Sequence, residues 1–423
     1  MKQAWPRLSR LLAVTVITTA FERAWAEEYR TPMTVEPLVD RALAGSPLLR
    51  AAEEEIAEAR GGVRSARAWA NPELEAAAGR KAESDATGET MGTTLHLRLM
   101  QPVEWPGRRA LRRALAEGDL RAAELALVQL KAEIAARTMI ATARCAAAQR
   151  RAEVARRRTE RLVSAEDLFR GSGAATPGVA VDRLTMSSTL RLARAEMRQS
   201  EGEADGAWQD LDALVHLHET RPPVLDLAVL DPGADPDGDA LVVLAAERGF
   251  EVRRKRLELG RRERELRLTR SEPWAGLAVG PFYESAVARS RESTVGVGVT
   301  VPLPLWNRKR GDVEAASART DRARAELAQA REAATHGARA WAARLRTARL
   351  LCRELPLAML EEMEHLGELA ERQFAQGRIG VAALLAAEEQ VMRVSGGVLE
   401  AHADAVEALV ELRLVSNPDG VMP

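Results

Sequence analysis

Met100-Gln101-Pro102-Val103-Glu104-Trp105-Pro106-Gly107-Arg108-Arg109 marks a change of period in the chain. A related stretch, Thr300-Val301-Pro302-Leu303-Pro304-Leu305-Trp306-Asn307-Arg308-Lys309-Arg310, repeats that change about two hundred residues later. Before each copy, apolar residues recur at every second position. After each, they recur at the three-and-four spacing of a helix. Leu95, Leu97 and Leu99 alternate with Thr94, His96 and Arg98 ahead of the first copy. Val295, Val297, Val299 and Val301 alternate with Thr294, Gly296, Gly298 and Thr300 ahead of the second. Each copy therefore joins a strand to a long helix, with proline ending the strand and a basic cluster opening the helix.

Downstream of the first copy the helical pattern holds from Arg108 to about Phe169, roughly 90 Å at the α-helical rise. One seam runs Leu111, Leu115, Gly118, Ala122, Leu125, Gln129, Ala132, Ala136, Met139, Ala143. A second, Leu120, Ala123, Leu127, Leu130, Ile134, lies beside it, so this helix is expected to pack on two sides. Gly171-Ser172-Gly173 and Thr176-Pro177-Gly178 make a turn, and a helix returns from about Val179 to Val215. Upstream, Thr34 to Trp69 is helical in two parts, broken at Gly45-Ser46-Pro47, with Thr34 and Ser46 as caps. Strands are predicted over about 72–79 and 93–103, joined by a polar loop from Lys81 to Gly92.

A linker rich in Pro, Asp and Gly, 221–239, separates this half from another of the same order. Ala240 to Arg270 predicts one basic helix. Strands follow over about 274–282 and 292–301, with a polar loop from Glu284 to Arg291. A helix then runs from Asn307 to about Gln376, bent near Pro356; Gly377-Arg378-Ile379-Gly380 turns the chain, and Val381 to Leu414 returns. The sequence thus divides into a first repeat over 27–220, with helical hairpin 108–215, and a second over 240–415, with helical hairpin 307–414 and a tail over 416–423. The fold class is mainly α with a small β part, built from a duplicated helix–strand–strand–long helical hairpin.

The bulk numbers restrict function. With 61 basic and 62 acidic side chains the chain lacks the positive excess that grips nucleic acid. Cys145 and Cys352 give neither a metal spacing nor a disulfide framework and are expected to be passive small residues. No nucleophile–base set, phosphate loop or metal-ligand cluster is present in the pattern, so neither enzyme chemistry, nor a cofactor, nor a metal site is expected. Residues 1–26 have the form of an export signal: Lys2, Arg7 and Arg10, an apolar core Leu11–Ala20, then Ala24-Trp25-Ala26. Past it, no stretch approaches the ~20 apolar residues of a spanning helix.

Alternating strands suit a membrane barrel, and equally any half-buried sheet. The tryptophans tip the balance. Trp69, Trp105, Trp274 and Trp306 all lie at strand borders, as an interfacial girdle would require.

Here the chain resembles the TolC-like outer-membrane efflux family, and within it the outer-membrane component of cobalt–zinc–cadmium type cation efflux systems. The resemblance is carried by Asn71-Pro72-Glu73-Leu74, by Gln101-Pro102-Val103-Glu104 with Gly107-Arg108-Arg109, by Val301-Pro302-Leu303-Pro304-Leu305-Trp306-Asn307-Arg308, and by the tip Arg372-Gln373-Phe374-Ala375-Gln376-Gly377. It implies a homotrimer whose twelve strands close a β-barrel in the outer membrane of a Gram-negative cell, continued by a periplasmic α-helical barrel. It implies as partners a periplasmic membrane-fusion adaptor and an RND-type, proton-driven inner-membrane pump, with divalent heavy-metal cations as the exported solute. A drug or other small-molecule duct shares that architecture, and a periplasmic coiled-coil adaptor or scaffold is the alternative class. Tip residues Gly173, Thr176, Pro177, Gly178, Gly377, Gly380 and Val381 are candidates for adaptor docking. Glu361, Glu364, Glu368 and Glu371, spaced three, four and three apart, are candidates for an acidic ring in the pore.

Overall fold

The computed structural model describes residues 32–85, 88–171, 177–217, 222–234, 236–288 and 290–416. The predicted signal segment 1–26, the tip residues Gly173 and Thr176, and the tail beyond Ser416 lie outside them. In chain order the first half contains α1 (Val35–Gly45), α2 (Pro47–Arg67), β1 (Glu73–Asp85), β2 (Gly88–Pro102), α3 (Arg108–Gly171) and α4 (Pro177–Val215). A 3-10 turn at Leu227–Leu230 precedes the second half. That half contains α5 (Gly238–Arg248), α6 (Phe250–Arg270), β3 (Ala278–Val287), β4 (Arg291–Thr300), α7 (Arg310–Glu354), α8 (Met359–Ala375) and α9 (Val381–Ser416).

Several expectations need correction. The strand expected over about 274–282 begins at Ala278, after a 3-10 turn at Glu272–Trp274, and runs to Val287 through most of the predicted loop from Glu284 to Arg291. The predicted loop from Lys81 to Gly92 is mostly strand: Lys81 pairs with Gly92, Glu83 with Thr90, and Asp85 with Gly88. Both strands continue past the point where alternation stops, because backbone pairing does not need an apolar face. The single helix expected over 240–270 breaks at Gly249. This glycine is extended, its N–H donates back to the Ala245 carbonyl, and a Cβ there would lie 2.7 Å from that oxygen. Finally, the helix expected to bend near Pro356 is interrupted. Pro356 has no N–H to donate, and the chain makes tight turns at Met359→Pro356 and Leu360→Leu357 before α8 begins. The freed Leu355 carbonyl lies 3.1 Å from Nε2 of buried His402 on α9, whose Nδ1 lies 3.3 Å from the Leu230 carbonyl. Thr34 occupies the N-cap position of α1 as expected, but its side chain makes no cap hydrogen bond.

The chain packs as two compact units. One takes the chain up to Leu49, Val128–Gly249 and Ala333 onward. Its helices bury two clusters. In the first, Leu162 and Ala165 of α3, Met186, Leu190 and Ala193 of α4, Ala370 of α8, and Val381 and Leu384 of α9 meet. In the second, Ala245 of α5, Ala338, Ala342 and Leu345 of α7, and Ala408, Leu409 and Leu412 of α9 meet. The alanine faces let helix axes approach closely, so modest side chains suffice to exclude water.

The other unit takes Arg50–Leu127 and Phe250–Glu332. It holds one four-stranded antiparallel sheet in the order β1-β2-β3-β4. Its basic helix α6 draws acids from neighbouring segments: Lys255 meets Glu326 at 2.7 Å and Arg261 meets Asp119 at 3.5 Å.

The β3–β4 pairing supplies a test of packing. Phe282 lies opposite Gly296, and a Cβ on that glycine would fall 2.6 Å from the ring; at Gly298 the same ring is 3.8 Å away. Gly296→Val should displace the ring and cost about 1–3 kcal/mol, whereas Gly298→Ala should be tolerated. Thermal melts followed by circular dichroism compare the two; equal midpoints would remove the ring from the account.

Candidate functional site

Register gives the sheet two unlike faces. On one, Leu74 lies opposite Leu99, Ala76 opposite Leu97 and Ala78 opposite Leu95. On the same face Leu97 lies opposite Tyr283, and Val295, Val297 and Val299 lie opposite Tyr283, Pro281 and Val279. The valines of β4 are 78%, 72% and 64% exposed in the single chain. The other face is mainly polar, with Met100 and the Phe282 ring also on it. Glu75 lies opposite Arg98, 3.9 Å apart, and His96 Nδ1 lies 3.0 Å from Glu284. Glu73 and Glu292 share that face, with Gly280, Gly296 and Gly298. Strands alternate in this way when one side meets an apolar medium and the other meets water. Among the described residues, no strand lies beside the outer edges of β1 and β4.

All four border tryptophans lie at the helix-joined end of the sheet, none at the hairpin end. Trp69 precedes β1, Trp105 follows β2, Trp274 precedes β3 and Trp306 follows β4. Trp105 and Trp274 stack at 5.1 Å, and Arg109 lies 4.4 Å over the Trp69 ring. Arg108 binds Glu272 at 3.0 Å, and Arg112 pairs with Glu104. The first copy of the repeated stretch is thus satisfied within the chain.

The second tip is a Schellman turn. Gly377 has φ 69°, its N–H donates to the Phe374 carbonyl, and the N–H of Arg378 donates to the Gln373 carbonyl. Phe374 and Ile379 pack on the cluster that holds Val381. Val381 is therefore buried, which removes its side chain from the docking candidates. Gly377 and Gly380 remain exposed, and Pro177 and Gly178 open α4.

The four candidate glutamates on α8 do not share one environment. Glu364 is half-buried and pairs with both Arg150, at 3.1 Å, and Arg157. Those arginines also hold Glu153: burial would raise its carboxyl, but their hydrogen bonds and charges outweigh that and keep it below the usual range. Glu368 is exposed and reaches Arg372 at 3.4 Å, Glu361 is exposed, and Glu371 is half-buried near Arg161.

The residues that sequence reading missed lie beneath this tip. Arg161 of α3 and Glu388 of α9 form a buried two-pronged ion pair, Nε to Oε1 at 2.6 Å and Nη2 to Oε2 at 2.8 Å. Burial opposes the Arg161 charge, but hydrogen bonding to Glu388 and the charges of Glu388, Glu371 and Glu368 hold its pKa above the ordinary value. The guanidinium passes across Gly367 of α8, where a Cβ would lie 2.6 Å from Nη2. A signal was present: buried Val381, Leu384, Val391, Ser395 and Val398 form the α9 seam in steps of three and four, and Glu388 occupies one of its positions.

Cys145 is buried, and burial pushes its thiol up to about 12; Cys352 donates to the Ala401 carbonyl at 3.4 Å. Among the described residues no group of three or more His, Cys, Asp or Glu is placed to hold a metal ion. No described helix is long and apolar enough to cross a membrane.

Comparison with known proteins bears on this arrangement. Residues 38–215 and 242–417, one block in each half, match the family model described as outer membrane efflux protein. The cobalt-zinc-cadmium resistance protein CzcC of Cupriavidus metallidurans is 25% identical over 381 residues, covering 89% of this chain and 88% of that protein. The crystal structure of CusC superposes with a TM-score of 0.68 at 14% identity, covering 90% of this chain and 91% of that one. The open-state MtrE outer membrane channel of Neisseria gonorrhoeae gives 0.70 at 15% identity, covering 92% of this chain and 89% of that one. At these identities the superpositions establish the fold.

The ion pair beneath the tip gives a direct test of its packing. Glu388→Gln leaves Arg161 buried without a counter-charge and should cost about 3–5 kcal/mol, while Arg161→Met with Glu388→Leu should recover most of the loss. Urea unfolding of the three forms decides it: a mild single variant would mean that the pair is solvated.

Proposed function

The chain belongs to the outer membrane efflux protein family, and from that premise we propose that three copies form the outer-membrane duct of a tripartite pump exporting divalent heavy-metal cations. The family is one of channels rather than enzymes, which also disposes of the periplasmic scaffold alternative. The observation that carries the duct is the two-faced sheet with both edges open. In lipid an unpaired strand edge is prohibitive, so four strands need further strands on both sides. Three copies closing head to tail supply twelve, with the apolar face toward lipid and the polar face toward a water-filled lumen.

Cations are favoured by two observations. The similarity to a cobalt-zinc-cadmium resistance protein runs along nearly the whole length of both chains. The lumen-facing side of the sheet carries Glu73, Glu75, Glu284 and Glu292 against Arg98 and His96, an acidic balance that suits a cation path. The exposed turn at Gly377 and Gly380 is the surface offered to a periplasmic adaptor, itself bound to a proton-driven inner-membrane pump. Of the four candidates, Glu361 and Glu368 are exposed and are the members of the acidic line proposed to face the mouth. Glu364 serves the arginines beside it.

Outer-membrane extracts run unheated and boiled test the duct. A heat-labile species at three times the monomer mass is expected in that fraction, and a soluble monomer would overturn the reading. The path charge is tested separately: Glu361→Gln with Glu368→Gln should lower cation preference in planar-bilayer recordings by about twofold or more, within the range of partly screened charges. Unchanged reversal potentials would remove the acidic mouth.

A further inference from the structure

The two copies of the strand-to-helix stretch are alike in sequence and unlike in their surroundings. In the first, Trp105 stacks on Trp274, Arg108 and Arg112 meet Glu272 and Glu104, and Arg113 meets Glu117 at 2.7 Å. In the second, Leu303, Leu305 and Trp306 are exposed, Trp306 at 93%. Asn307 accepts a hydrogen bond from the Lys309 N–H at 3.0 Å, and Lys309, at φ 56°, turns the chain into α7. The Lys309 ammonium is absorbed by Asp312 at 3.2 Å. Arg308 and Arg310 are exposed and have no acidic partner among the described residues.

This strap is built to lie at an apolar–aqueous boundary. It continues the apolar face of β4, and its prolines, Pro302 and Pro304, carry no N–H that would need a partner there. The Leu305 N–H is already used by the Leu303 carbonyl at 2.8 Å. Two leucines and a tryptophan are thus followed at once by two free guanidinium groups. An indole favours the headgroup level of a bilayer, and arginine binds phosphate oxygens through paired N–H donors.

The chain's own pseudo-symmetry argues against a neighbouring copy as the source of the missing anion. The duplication aligns Trp69 with Trp274, each four residues before its strand begins. Two residues before Trp274 is Glu272, the partner of Arg108. Two residues before Trp69 is Arg67. A second copy closing the sheet by the same pseudo-symmetry would therefore bring a like charge to the second stretch. That alignment points to a counter-ion from outside the protein.

We propose that Leu303, Leu305, Trp306, Arg308 and Arg310 form a seat for an anionic phospholipid of the periplasmic leaflet, its phosphodiester on the two arginines and its acyl chains against the leucines and the β4 valines. The proposal rests on the outer-membrane duct reading. It makes the rim selective for anionic over zwitterionic lipid, which a girdle of tryptophans alone would not.

Native mass spectrometry of the full chain, purified as its oligomer and equilibrated with equal amounts of phosphatidylglycerol and phosphatidylethanolamine, tests it. The wild type should retain phosphatidylglycerol roughly tenfold over phosphatidylethanolamine, the scale expected of two arginines at a membrane surface. Arg308→Gln with Arg310→Gln should abolish that preference and leave the oligomer mass unchanged. No preference in the wild type overturns the proposal. So does a preference that survives in the double variant, one removed by millimolar inorganic phosphate, or an oligomer that falls apart on substitution, which would place the arginines between copies. A chain that never forms a membrane oligomer would instead show that the duct reading has failed.

Discussion

A β-strand in hydrocarbon cannot leave its backbone groups unpaired, and much of this chain follows from that constraint. A two-stranded ribbon is too narrow to present a broad face, so the chain carries two hairpins that pair through β2 and β3. The pairing is dense enough that Gly280 has no room for a side chain beside the Leu99 carbonyl. Pro281, which cannot donate, interrupts the β2–β3 ladder between Arg98↔Phe282 and Gln101↔Val279. The sheet tolerates one such gap because both flanking strands hold on either side of it. Its outer edges are the groups left unpaired among the described residues, and they are what the proposed duct has to satisfy with further strands.

The same constraint explains which parts of the sequence were legible. Where a strand separates an apolar medium from water, side chains must alternate, and the runs at Leu95–Leu99 and Val295–Val301 announce it. Past those runs both faces of the hairpin are polar, and Lys81 to Gly92 carries no periodic signal although it is paired throughout the described residues. Long helices were legible because a seam of small and apolar residues persists over many turns. Their interruptions were less so. Gly249 and Pro356 were in plain view, but whether such a residue bends a helix or ends it depends on what receives the freed carbonyl. At Leu355 that receiver is His402, forty-seven residues away in sequence. A local pattern does not contain that information.

Charge is handled differently in the two units. The sheet-bearing unit neutralises its basic helix α6 from within, as at Arg261–Glu265, and from other segments, as at Lys255–Glu326 and Arg261–Asp119, mostly at exposed positions where each pair contributes a few tenths of a kcal/mol to ~1 kcal/mol. These pairs keep a highly charged helix from repelling itself and add little stability singly. The helical unit instead takes one pair fully out of water at Arg161 and Glu388. Desolvation makes such a pair a poor source of net stability, since an apolar pair of the same volume would do as well or better.

What the buried pair supplies is register. The α9 seam around it is made of Val381, Leu384, Val391 and Val398, side chains of similar size that repeat at heptad intervals. Apolar seams of that kind can slip by one heptad at modest cost. A slip here would carry Glu388 past Arg161 and leave both charges buried without partners, at a cost of several kcal/mol. Gly367 adds a second condition, because it is the α8 residue without a Cβ where the guanidinium crosses. Three helices are therefore keyed to one axial position by one residue from each. The Schellman turn at Gly377 lies ten residues beyond Gly367 on the same segment, so its place at the end of the bundle is fixed by the pair beneath it.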